Sequence, residues 1–138
     1  MTIFQDFNRA ESIRRGIDPA VSERAWNTEG GLTEAARLGD FSGPPWFSGK
    51  SWYAPQLHWG GKGYEHFGHT AGMGNSFTAF TGWQPGDPKA WRDALRYALD
   101  EVRRRGWGPW YGPKSIGITE FTGVDRSVLW NGTPVEEW

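Results

Sequence analysis

Residues Arg14–Gly31 read RRGIDPAVSERAWNTEGG, and this run decides the fold. Asp18 is a helix-capping residue, and Pro19 takes the first helical position, where its missing N–H costs nothing. Val21, Ala25 and Glu29 recur every four residues, drift by only about 40° per step and therefore share one face. Gly30 and Gly31 stop the helix. The spacing predicts a helix over residues 19–29, with a carboxylate on its buried face in the last turn.

Upstream, Thr2 caps a helix over residues 2–15 on which Ile3, Phe7 and Ala10 form a stripe. Gly16 ends it and Ile17 is the apolar residue after the cap. Downstream, residues 32–72 show little periodicity beyond a turn at Thr33–Leu38. They contain GDFSGPPWFSGKSWYAPQLHWGG (Gly39–Gly61), which predicts an irregular hairpin within residues 40–58. A loop this long is usually functional. Residues 73–81 predict a short helix with Phe77 and Phe80 inward. Residues 88–105 predict the clearest one, capped by Asp87, opened by Pro88 and striped by Trp91, Leu95, Ala98, Leu99 and Val102. Arg103, Arg104 and Arg105 suit its negative end, and Gly106 stops it. WGPWYGPKSIGI then turns tightly, and the last dozen residues read as a peripheral tail. The fold class expected is α+β, mainly α, in a single domain over residues 1–138.

With 138 residues the chain can bury one core without disulfides or metal. It has no cysteine, which excludes thiol nucleophiles and thiolate zinc sites. A net charge of -1 gives no field for nucleic acid or an anionic membrane. No apolar run is long enough to span a bilayer, and the stretch after Met1 has no signal-peptide pattern, so synthesis in the cytoplasm is expected. The 10 Trp, 8 Phe and 4 Tyr, with 20 Gly and 9 Pro, describe helices joined by aromatic-studded loops.

Glu29 is the chemical candidate. Burial and the negative end of its helix both disfavour its charged form, so its pKa is expected to be raised. A carboxylic acid that keeps its proton near neutral pH can protonate a glycosidic oxygen. The other glutamates lack this combination of buried face, following glycines and long adjacent loop. His58, His66 and His69 lie close in sequence, and His66-x-x-His69 with Glu65 has some metal-ligand character. Without a helical pattern or HExxH, they are read as loop histidines, with no metal and no cofactor expected.

The run Arg14–Gly31 resembles the glutamate helix of lytic transglycosylases and goose-type lysozymes, with Thr28-Glu29-Gly30 where that superfamily has E-S-G or S-E-G. A phage-encoded branch is similar over more of the chain. Its features are matched by Gly39-Asp40, SWYAPQLHWGG (Ser51–Gly61), GMGNSFTAFTG (Gly72–Gly82), DPKAW (Asp87–Trp91) and GWGPWYG (Gly106–Gly112). The resemblance covers about residues 11–124. Two segments depart from it: Tyr53-Ala54-Pro55-Gln56-Leu57, where G-P-F-Q-L is usual, and the inserted GKGYEHFGHT (Gly61–Thr70).

The resemblance implies a lysozyme-like fold with a small β-hairpin lobe and a glycan-binding groove. It implies cleavage of the MurNAc-β-1,4-GlcNAc bond of peptidoglycan. In a lytic transglycosylase one glutamate serves as acid and then base, giving 1,6-anhydro ends. In an inverting lysozyme a second carboxylate positions water, with the carboxyls about 6.5–9.5 Å apart. Asp40 is the natural second carboxylate, though Gly-Asp-Phe-Ser-Gly reads first as a turn with Asp40 as its aspartate. The transglycosylase is the favoured form. Tyr53, Gln56 and His58 on the hairpin rim, and Tyr111, are candidates for sugar contact. Trp52, Trp59, Trp107 and Trp110 are candidates for stacking on pyranose faces or for the core. The partners implied are peptidoglycan glycan strands, with other phage virion or lysis proteins for delivery to the wall. Two rival readings are a non-catalytic glycan-binding module and a structural virion component, and neither would release product.

Overall fold

The computed structural model describes residues 1–41 and 50–130, except the side chains of Asp40 and Phe41. Six helices appear among them: α1 (Ile3–Arg14), α2 (Pro19–Asn27), α3 (Glu34–Leu38), α4 (Met73–Thr81), α5 (Trp91–Arg105) and α6 (Tyr111–Ser115). Strands β1 (Asp40–Phe41) and β2 (Lys50–Ser51) form a two-stranded antiparallel sheet, with Asp40 opposite Ser51. The architecture is thus mainly helical. Short 3-10 turns occupy Glu65–Phe67 and Pro88–Ala90.

The caps form as the residue types dictate. Thr2 and Gln5 close a reciprocal capping box on α1. The Asp18 carboxylate accepts from Ala20 N at 2.9 Å, and that of Asp87 from Lys89 N at 2.9 Å. Thr33 caps α3 at Ala36 N. The segment after Asp87 begins as a 3-10 turn, not as α-helix, because Ala90 N bonds back to the Asp87 carbonyl three residues away.

α5 buries its predicted stripe: Trp91, Leu95, Ala98, Leu99 and Val102 are all in the core. Tyr97, Asp100, Glu101 and Arg103 are buried as well, so the helix is enclosed on most sides. Of the α4 pair, Phe77 is fully buried and Phe80 packs partly against the core.

The stripe expected on α1 is not the buried one. Ile3 and Ala10 are exposed and Phe7 is half-buried, whereas Phe4, Asn8, Glu11 and Ser12 face inward. The reason lies in what α2 and α5 present. Asn8 donates to Ser22 Oγ at 2.9 Å and accepts from the Trp26 indole N–H at 3.0 Å. Glu11 accepts from Arg96 at 2.7 Å, and Arg15 donates to Asp100 at 2.6 Å. Burial alone would raise the pKa of Glu11, but bonds from Arg96 and Arg14 hold it below the ordinary range. Burial raises that of Asp100 despite Arg15 beside it.

The expected tail is in part anchored. The Arg103 guanidinium donates to the carbonyls of Arg15, Asp125, Arg126 and Val128. Residues 131–138 of that tail, like 42–49 of the expected hairpin, lie outside the described residues.

Candidate functional site

α2 ends at Asn27, two residues short of the predicted end, and Glu29 sits in the turn that follows. Thr28 is the reason, since its hydroxyl donates to the Ala25 carbonyl at 2.6 Å. The Trp26 carbonyl takes both Glu29 N and Gly31 N, at 2.9 and 2.8 Å, which winds the chain out of the helix. Gly30 N then crosses to the Ala54 carbonyl at 3.0 Å. A Cβ on Gly30 would stand 2.5 Å from both the Gln56 amide nitrogen and the Tyr53 carbonyl oxygen, so this crossing needs glycine.

The loop that Gly30 meets is strained. Trp52 and Leu57 bond to each other through both backbone groups, enclosing a turn in which Tyr53 (φ 70°) and Gln56 (φ 54°) are left-handed. Such conformations cost roughly 1 kcal/mol or more each for residues with a Cβ, and they persist only where surroundings enforce them. Here Tyr53 N is bonded to the Ala36 carbonyl, and the Trp110 indole N–H donates to the Pro55 carbonyl at 2.9 Å.

These segments enclose a cavity of about 410 Å³. Glu29 forms one wall, Pro55 to His58 with Ser51 a second, Ala71 to Met73 a third, and Pro109 to Tyr111 the fourth. Glu29 Oε1 accepts from Gly112 N at 2.8 Å, an amide in the first turn of α6. Burial raises the Glu29 pKa, and the Gly112 N–H offsets part of that rise. The result is a half-buried carboxyl with one oxygen fixed and its acidity weakened.

The cavity brings together five of the residues singled out in the sequence: Glu29, Gln56, His58, Trp110 and Tyr111. Tyr111 is 82% exposed and stands at the rim, so it is no part of the core. Trp110 is largely buried against Trp26 and contributes wall surface. Three other candidates for sugar contact are corrected. Tyr53, Trp59 and Trp107 are at most 1% exposed, so none has a face to offer a sugar. Each instead spends its polar atom inside the protein: Tyr53 on the Asp87 carbonyl, Trp59 on Thr78 Oγ1, Trp107 on the Thr122 carbonyl. Trp52 is half-buried, packs edge-on against Trp59 and Phe67, and does not line the cavity. The backbone of Asp40 pairs with Ser51, a cavity residue, while its side chain lies outside what is described.

Two features carried too little sequence signal to be singled out. Gly112 followed by Pro113 marks the start of α6, and only the fold shows that its N–H reaches Glu29. Asn75 pins the loop beyond His58: its amide oxygen accepts from Gly60 N and Gly72 N, and its nitrogen donates to the Gly60 carbonyl.

The histidines divide. His66 is exposed against Phe67, whereas the His58 and His69 rings lie 4.8 Å apart. Burial, and then His69, lower the His58 pKa. Among the described residues no three His, Asp or Glu side chains gather to hold a metal. No family model, curated protein or solved structure matches the chain.

Proposed function

We propose that the chain is a peptidoglycan-cleaving glycosidase of the lysozyme-like kind, with Glu29 as its general acid and base. One observation carries the reading: a weakened carboxyl, fixed by Gly112 N–H, opens on a cavity large enough for a sugar ring. The lysozyme-like arrangement is supported by a helix that leads into the turn carrying this glutamate, and by a small antiparallel element whose Ser51 lines the same cavity.

In this mechanism Glu29 donates its proton to the glycosidic oxygen as positive charge develops at the muramic C1. The leaving GlcNAc departs with that proton. Glu29, now a carboxylate, takes the proton of the muramic 6-hydroxyl as O6 closes on C1, and a 1,6-anhydro end forms without water. Glu29, which lines the cavity, is the one carboxylate this route requires. Gln56 supplies an amide suited to an N-acetyl group, and Tyr111 and Trp110 supply aromatic surface.

The test is digestion of purified peptidoglycan by wild type and Glu29→Gln, with mass spectrometry of the released muropeptides. Anhydro ends from wild type and none from the variant are expected. Reducing ends would make the enzyme a hydrolase, with Asp40 as the second carboxylate to replace. Release by Glu29→Gln at the wild-type rate would refute the assignment, and no release by wild type from several walls would favour a glycan-binding module.

A further inference from the structure

We propose that His58 and His69 form a two-imidazole site for a borderline divalent cation such as zinc(II), set into the wall of the Glu29 cavity. It is a different pair from the His66-x-x-His69 spacing that the sequence suggests.

The spacing of the two rings fits two ligands on one ion. Imidazole nitrogens bind zinc at about 2.0–2.1 Å, so two rings on one ion have centroids roughly 4.5–5.2 Å apart for angles between square and tetrahedral. The His58 and His69 centroids are 4.8 Å apart. Backbone pairing sets that spacing. The His58 carbonyl accepts from Gly74 N at 3.0 Å, and His69 is bridged to Gly60, with its carbonyl accepting from Gly61 N at 3.2 Å. Asn75 ties Gly60 to Gly72 between them. Gly72 leaves the space that the His58 ring fills, since a Cβ there would collide with Nε2. His58 also lines the open cavity, so an ion can enter and complete its coordination with water. Imidazole ligands without thiolate select zinc, copper or nickel over magnesium or calcium.

The inference stands apart from the glycosidase reading, because binding is measured with zinc chloride alone and no glycan. Calorimetry on the wild type is expected to show one zinc ion per chain at sub-millimolar concentration. His58→Gln and His69→Gln should each weaken binding about tenfold or more, and His66→Gln should leave it unchanged. The chain has three histidines, so a measurement on wild type guards against misfolded variants. Substoichiometric copper(II) should broaden the ring-proton NMR signals of His58 and His69 before those of His66. No zinc binding at about 1 mM, full affinity in folded His58→Gln or His69→Gln, or first broadening at His66 would each overturn the proposal.

Discussion

Replacing Gly112 by alanine tests the anchoring of Glu29 more directly than replacing the glutamate. Gly112 is helical, so alanine meets no conformational penalty there and even favours a helix by up to about 1 kcal/mol. The added Cβ would lie 2.7 Å from Glu29 Oε1, 2.7 Å from the Thr28 carbonyl oxygen, and in collision with Thr28 Oγ1. A carbon and an oxygen settle at roughly 3.3 Å or more, so α6 and the Glu29 turn must part by about 0.6 Å. That stretches the 2.8 Å Gly112 bond to the outer limit of hydrogen bonding. A hydrogen bond to a charged group contributes about 1.5–3 kcal/mol, which corresponds to a roughly ten- to hundredfold loss of rate if it is spent on positioning. Losing the N–H also removes what holds the Glu29 pKa down, so the alkaline limb of the activity profile should move to higher pH. The assay is muropeptide release across a pH series, with Tm expected to change by no more than about 5 °C. Wild-type rate and an unmoved alkaline limb in a folded variant would refute this account of the site.

Three further outcomes follow from the same structure. Because burial favours neutral Glu29, its contribution to stability is full below the ordinary value of 4.5 and is lost as pH rises through the raised folded value. Glu29→Gln should therefore gain in Tm over wild type between pH 4 and pH 8, and a constant difference would contradict the shift. Asn8→Ala leaves the fully buried Trp26 indole N–H without its acceptor and should cost about 2–4 kcal/mol in urea unfolding; a loss under about 1 kcal/mol would mean that the network is dispensable. Asn75→Ala frees two backbone amides, so hydrogen exchange at Gly60 and Gly72 should accelerate on the order of tenfold while α5 stays protected.

What the sequence disclosed is what local physics governs. Asp18-Pro19 and Asp87-Pro88 mark helix starts whatever the tertiary context, and the α5 stripe is long enough to outvote exceptions. α1 misled because its inward face is polar: Asn8, Glu11 and Ser12 look like solvent residues until Ser22, Trp26 and Arg96 meet them from other helices. Glu29 stood out through its neighbours, but Gly112, which holds it, is 83 residues away, and no local pattern reports such a contact. The tryptophans were ambiguous for a physical reason. An indole suits a sugar or a core equally, and the choice turns on whether the fold leaves a ring face open to a cavity, as it does not for Trp59 and Trp107.

Arg103 has a bearing on how the protein is made. Its guanidinium lies at the heart of the last turn of α5, and three of its four carbonyl acceptors belong to residues 125–128. During vectorial synthesis α5 leaves the ribosome first, carrying a cation that cannot be buried until those acceptors follow. The buried face of α5 is thus fully partnered only when residues 125–128 are in place. A nascent chain stalled before residue 125 would hold the glutamate helix and still be unable to finish its fold.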